Sequence, residues 1–154
     1  MSSMTVQRDV AARPDEVWRI MTDLEHAAEV ISGIKEVRRL DGGDGFGVGT
    51  SWRETRVMLG REATEAMAVT AIDEGRSYTV EADSRGAHYT SVMVVEPKGD
   101  GSNLSMTFVA QPTTIGARVM SLFSRLFEGA TRKALAQDLD DIAAAAERHE
   151  GGAG

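Results

Sequence analysis

The sequence predicts an α+β fold in which a curved antiparallel sheet wraps a long C-terminal helix. Three observations predict it. Two short helical stretches follow the first strand, and about six strands separated by glycine-bearing turns fill the middle of the chain. The stretch from Thr113 to Arg148 then runs without a proline or a β-branched run. Helices and strands segregated in this way along a chain build an α+β domain rather than a parallel α/β one.

The elements follow in order. Thr5–Ala12 alternates weakly, with Val6 and Val10 on one face, and reads as a first strand. Arg13-Pro14-Asp15-Glu16 starts a helix, since proline suits its first position and acids suit its positive end. Val17, Trp18, Ile20 and Met21 supply its buried side as far as Asp23. A second short helix covers Leu24–Ile31, Ser32-Gly33 ends it, and Ile34–Leu40 resumes as strand. Beyond the glycine-rich turn Asp41–Gly47, strands are expected at Gly49–Met58, Arg61–Asp73, Arg76–Ser84, Ala87–Pro97 and Ser102–Gln111. The breaks at Leu59-Gly60, Glu74-Gly75, Arg85-Gly86 and Lys98–Gly101 each carry the glycine that tight hairpins favour.

The closing helix is read from Ile115 to Arg148, roughly 50 Å at about 1.5 Å per residue. Its apolar stripe changes side. Ile115, Val119, Leu122, Phe123, Leu126, Phe127 and Ala130 share one face, whereas Leu135, Leu139, Ile142 and Ala146 share another. Gly129 lies between them, and glycine is a poor helix-interior residue. Either the helix breaks or kinks near Gly129 and both stripes enter one core, or Met120, Phe123 and Phe127 form a gate, a dimer contact or a membrane-touching patch.

Composition narrows the function classes. A chain of 154 residues suits one domain, read as 1–149 with 150–154 (EGGAG) as a disordered tail. Hydrophobic and charged contents of 42% and 27% are those of an ordinary soluble globule. The net charge of −7 argues against nucleic acid as a partner, because phosphate contacts need clustered Lys and Arg. Without cysteine there are no disulfides and no thiolate ligands or nucleophiles. The three histidines lack metal-ligand spacing, and the glycines at 42, 43, 45, 47 and 49 precede a strand rather than a helix, which excludes a phosphate loop and favours a mobile loop at a cavity mouth. No cofactor is expected. No apolar run approaches about 18 residues and no signal-peptide pattern opens the chain, so the expectation is a cytoplasmic monomer or homodimer without stable membrane insertion.

Several short motifs carry a resemblance. Ala12-Arg13-Pro14-Asp15-Glu16-Val17-Trp18 is similar to the "A-P-x-E-x-V-W" opening of the START-like (SRPBCC) helix-grip superfamily. Asp23-Leu24-Glu25, Ser32-Gly33-Ile34-Lys35-Glu36-Val37, Gly47-Val48-Gly49-Thr50-Ser51-Trp52 and Leu135–Ile142 continue it in order. The chain resembles the polyketide cyclase/dehydrase and lipid-transport branch over nearly its whole length. The resemblance implies a helix-grip fold of about six to seven strands with a deep cavity between sheet and final helix, holding a hydrophobic or amphipathic small molecule. One departure is the Glu25–Val30 segment, which lacks an aromatic residue often present before the second strand in relatives and implies a more open rim.

Counting through the turns gives the inward face, since residues directly opposite across a hairpin share a side. A two-residue Leu59-Gly60 turn sets Met58 opposite Arg61, Arg56 opposite Ala63, Glu54 opposite Glu65 and Trp52 opposite Met67, with Val69 and Ala71 continuing that side. The same counting turns Tyr78, Val80, Ala82, Tyr89, Ser91 and Met93 inward, while Leu104, Met106, Phe108 and Ala110 form the apolar face of the last strand. The expected cavity residues are therefore Trp52, Glu54, Arg56, Glu65, Met67, Tyr78, Tyr89, Met93 and Phe108, with Met120 and Phe123 from the helix. His88 counts outward, and His26 and His149 read as exposed. Apposed carboxylates at Glu54 and Glu65 raise one pKa unless a cation intervenes, and Arg56 is the cation at hand. Such a group serves as a polar anchor for a ligand or as an acid/base pair, unless the charges sit on a solvated outer face.

Three functions fit. The first is binding or transport of a lipid, polyketide or similar apolar compound. The second is an aromatase/cyclase or dehydratase-type enzyme needing neither metal nor nucleotide, with Glu54 and Glu65 as acid and base and Arg56 stabilising oxyanion charge. The third is a ligand-free protein-interaction module using the rotated apolar face before Gly129.

Overall fold

A computed structural model describes residues 2–58, 60–84, 86–114 and 125–152. Strand β1 (Ser2–Val10) leads into helix α1 (Pro14–Met21), a 3₁₀ turn (Leu24–His26) and the single-turn helix α2 (Ala27–Val30). Strands β2 (Ile34–Arg39), β3 (Ser51–Met58), β4 (Arg61–Asp73), β5 (Ser77–Ser84), β6 (Ala87–Lys98) and β7 (Gly101–Pro112) precede helix α3 (Arg125–Gly152). All seven strands form one antiparallel sheet in the order β1-β7-β6-β5-β4-β3-β2. The α+β helix-grip architecture expected from the sequence is the one observed.

The hairpins explain most of the registers. Met58↔Arg61, Arg56↔Ala63, Glu54↔Glu65 and Trp52↔Met67 pair as the two-residue turn requires. The β5–β6 and β6–β7 registers also follow from the turns, with Tyr78↔Met93, Ala82↔Tyr89 and Met93↔Met106. The β4–β5 connection differs from expectation. Asp73 pairs with Ser77, so the loop has three residues and Ile72, not Ala71, stands opposite Tyr78. A bulge at Thr70 then returns Val69 to Val80. One extra residue in the turn and one in the strand cancel, which is why the inward positions beyond β4 survive the miscount.

Helix α3 is helical through Gly129, so of the alternatives of a break, a kink or a separate contact the break does not occur at that residue. The helix continues to Gly152, beyond the expected end at Arg148 and into the segment read as a tail. A glycine costs roughly 1 kcal/mol relative to alanine in a helix interior, too little to stop a long helix already held by packing. The stripe before Gly129, including Met120 and Phe123, lies outside the described residues except at Leu126, Phe127 and Ala130.

The main core lies between one side of the sheet and α3. Val6 and Val10 of β1, Val17 and Met21 of α1, Met93 and Val95 of β6, and Leu104 of β7 pack on Leu135, Leu139, Ile142, Ala143 and Ala146. A smaller cluster forms farther along the same face, where Trp52, Val69 and Val80 meet Leu24, Val37, Phe46 and Met67. Tyr78 touches both. Its hydroxyl donates to the Met21 carbonyl at 3.0 Å, tying the end of α1 to the centre of the sheet.

Candidate functional site

The concave face of β3 carries the polar residues singled out above. Arg56 Nε and Nη2 both donate to Glu54 Oε2 at 3.2 Å. Its remaining Nη1 reaches across to Asp138 Oδ1 of α3 at 2.9 Å. Glu54 also accepts from the Trp52 indole at 3.3 Å. The side chains of Arg56, Glu54 and Asp138 are 21%, 13% and 9% exposed, so this is a largely buried ion network, not a solvated strand surface.

Burial works against the Arg56 charge, but Asp138 and Glu54 together hold its pKa above the ordinary guanidinium value. Burial raises the Asp138 carboxyl, and neighbouring Glu54 adds to the rise against the pull of Arg56. Tyr78 is pushed up as well, first by burial and then by Glu54 and Asp138, which keeps its phenol a neutral donor.

The structure departs from the expected cluster in two ways. Arg56 does not stand between Glu54 and Glu65; its guanidinium is shared by Glu54 and Asp138. Two preorganised carboxylates that together engage all three of its nitrogens outcompete one that lies diagonally across the strand pair. Glu65 faces Glu54 in register and is half-buried, yet has no ion-pair or hydrogen-bond partner among the described residues. Asp138 is the residue the sequence reading missed. It falls between Leu135 and Ile142 on the buried stripe of α3, and a carboxylate inside an apolar stripe is itself a signal that a cation faces it.

Gly33 makes room for the network. A β-carbon there would stand 3.2 Å from Arg56 Nη1 and 3.7 Å from Asp138 Oδ1. The Ser32-Gly33 link is also held by α3, because Asp141 accepts from the Ser32 amide at 2.9 Å and its hydroxyl at 2.8 Å. A groove of about 420 Å³ lies alongside, lined by Gly33, Arg56, Lys133, Ala134, Gln137 and Asp138, among others.

The remaining expected residues lie on the same concave face. Trp52 and Met93 are buried core residues, and Met67 and Tyr78 pack beside them. The Tyr78 hydroxyl is taken up by the Met21 carbonyl. Tyr89 and Phe108 stack with centroids 5.6 Å apart and stay half-buried, as do Ala82, Ser91 and Ala110 around them. Met120 and Phe123 lie outside the described residues. The core is thus closed towards Leu104 and Leu139 and looser towards Tyr89, Phe108 and Glu65.

The glycine-rich loop before β3 is tethered by hydrogen bonds. Arg39 bonds Asp41 at 2.9 Å and also donates to the Gly45 carbonyl, while the Gly47 amide donates to Thr50 Oγ1 at 3.0 Å. These bonds aim Phe46 inward, with its ring centroid 4.9 Å from Tyr78 and 6.5 Å from Trp52. Phe46 supplies an aromatic wall on the side where the Glu25–Val30 segment has none. His88 faces outward between Asp83 at 2.7 Å and Glu81 at 2.8 Å, and no group of three metal-ligating side chains forms among the described residues. His26 and His149 are exposed and pair with Asp23 and Glu16. No described helix is long and apolar enough to cross a membrane.

Comparison with known proteins adds family to fold. No curated protein matches the chain in sequence. The Zhui aromatase/cyclase from Streptomyces sp. R1128 superposes with a TM-score of 0.81 at 16% identity, covering 96% of this chain and 94% of that one. Norcoclaurine synthase from Thalictrum flavum, in complex with dopamine and hydroxybenzaldehyde, gives 0.73 at 20% identity, covering 96% and 87%. Major latex-like protein 151 from Panax ginseng gives 0.75 at 14% identity, covering 93% and 95%. At such identities these structures share the fold, and their activities do not follow from it. Residues 1–147 match the family described as "Polyketide cyclase / dehydrase and lipid transport", and the chain belongs to that family.

Proposed function

We propose that this protein binds a hydrophobic or amphipathic small molecule between the concave face of its sheet and helix α3. The observation that carries the reading is the uneven packing of that face. One end is a closed apolar core, while at the other the stacked Tyr89 and Phe108 and the unpartnered Glu65 remain half-buried. Large aromatic side chains on an inward-facing surface are normally covered, and an apolar wall with a few polar groups is the usual form of a ligand site. Native mass spectrometry of the protein from its own host, followed by denaturing extraction, tests the proposal. A retained apolar molecule supports it; a protein that is empty and also fails to bind apolar probes refutes it.

A cyclase reading is favoured by Glu65 in particular. A carboxylate without a partner is free to take a proton from a carbon between two carbonyls, which Glu54, held by Trp52 and Arg56, is not. The resulting enolate carbon attacks a second carbonyl carbon of the same chain and closes the ring, and the new alkoxide takes back the proton held by Glu65. Glu65 then removes the remaining hydrogen of the attacking carbon to form the double bond, and the hydroxyl leaves with that hydrogen as water. The likeness to an aromatase/cyclase is consistent with such chemistry. Turnover of a poly-β-ketone mimic, lost in Glu65→Gln, separates catalysis from binding alone.

A further inference from the structure

We infer that Glu65 sets the charge of the ligand, selecting an apolar molecule that carries a protonated amine over one that carries a carboxylate. The inference rests on the binding reading above and goes further by naming the ligand's polar group.

The argument is an inventory of inward charges. Arg8 on β1 pairs with Asp140 at 2.9 Å and lies near Glu147, and Arg39 on β2 pairs with Asp41 at 2.9 Å. Arg56 spends its donors on Glu54 and Asp138. Arg61 opens β4 and is exposed, and Lys133 stands exposed at the groove beside α3. Among the described residues, the cations buried on the inward side are therefore already paired, and Arg61 and Lys133 stand at its exposed rim. An acid seeking a buried cation would have to draw Arg56 away from two carboxylates that already hold it, in a site that burial makes costly for any unpaired charge.

Glu65 presents the opposite situation. It lies directly across β3–β4 from Glu54, so two carboxylates share one row of the sheet while the local guanidinium serves only Glu54. Like charges placed opposite each other on neighbouring strands are unfavourable. An ammonium entering from the Tyr89–Phe108 side gains a charge-assisted hydrogen bond to Glu65 and relieves that repulsion, while its apolar body covers the half-buried aromatic pair. Asp138 and Glu54 are satisfied already, which leaves Glu65 as the position where specificity is decided.

Three probes with one apolar body test this: 2-(2-naphthyl)ethylamine, 2-naphthylacetate and the neutral 2-(2-naphthyl)ethanol, titrated calorimetrically into the intact protein at neutral pH. The amine should bind at least about tenfold more tightly than the acid. In Glu65→Gln that preference should largely disappear while the affinity for the neutral alcohol is kept. The variant also controls for the overall charge of −7, which attracts any cation and changes by one unit only. Equal affinities for amine and acid in the wild-type protein, or a preference unchanged in Glu65→Gln, overturn the inference even if the alcohol binds and the binding reading stands. If none of the three binds, the binding reading fails and this inference with it.

Discussion

Replacing Asp138 with alanine tests whether the buried ion network ties the last helix to the sheet. The Arg56–Asp138 pair spans β3 and α3 at 2.9 Å, with side chains 21% and 9% exposed. Breaking a fully buried pair costs about 3–5 kcal/mol, because the surviving charge is left uncompensated. Two features reduce that figure. Arg56 keeps Glu54 as a partner, and its remaining exposure lets water reach the guanidinium. Alanine also favours the helix by about 0.5 kcal/mol over aspartate. The expected net loss is about 1.5–2 kcal/mol, or roughly 3–8 °C in Tm for a chain of this size. Urea unfolding followed by circular dichroism and by tryptophan fluorescence measures it. The discriminating quantity is the coupling energy from Asp138→Ala, Arg56→Met and the double variant, expected at about 1–2 kcal/mol. A coupling within about 0.3 kcal/mol of zero refutes the argument, since it would make the contact energetically inert.

Other perturbations have equally definite outcomes. Gly101→Ala should be among the most damaging substitutions, about 3 kcal/mol or more, because its β-carbon would collide with the Val10 carbonyl, a backbone atom that cannot turn aside; yield of folded protein and thermal melts report it. Gly33→Ala should cost about 1 kcal/mol and weaken the Arg56–Asp138 coupling, as the added methyl crowds Arg56 Nη1; the same double-mutant cycle in the alanine background shows it. His88 should make stability depend on pH. Bonds to Asp83 and Glu81 raise its pKa above the ordinary 6.5, so its stabilisation is complete below that value and fades as pH rises through the raised one. His88→Gln should therefore lower Tm at about pH 6 and have little effect at about pH 9, and an equal effect at both would count against the charged pairing.

The fold was legible because its signals are local. Proline at the start of α1, glycine in each tight turn and the long proline-free tail each act within a few residues, and two-residue turns carry register from strand to strand. Where the reading slipped, the cause was also local. Nothing in Glu74-Gly75-Arg76 distinguishes a two-residue from a three-residue loop, and the bulge at Thr70 has no glycine to announce it. The site was legible by half. Strand alternation placed Glu54, Arg56 and Glu65 on one face, but the partner of Arg56 lies 82 residues away on α3, and no periodicity within β3 can name it. Phe46 was out of reach for a different reason. A loop residue has no period, and its inward aim depends on the Arg39–Asp41 and Gly47–Thr50 bonds that form only once the sheet exists.

The division between apolar and polar contacts also explains how the concave face can remain loosely filled. Helix α3 is packed by apolar side chains against β1, β6, β7 and α1, where the core is closed. Towards β2 and β3 its hydrogen bonds among the described residues are made by polar side chains: Asp138 accepts from Arg56, and Asp141 from Ser32. An apolar seam on that side would draw the helix down until side chains interlocked, since interiors pack to crystal-like density. A long arginine held between two carboxylates acts instead as a spacer of defined length. It ties helix and sheet at that distance, and the groove of about 420 Å³ lies beside it. The same spacer commits Glu54 and Asp138 to structure. That leaves Glu65, directly across the strand pair from Glu54, as the carboxylate of this inward-facing cluster without a partner among the described residues, which is why the proposed ligand contact is assigned to it and not to Glu54 or Asp138.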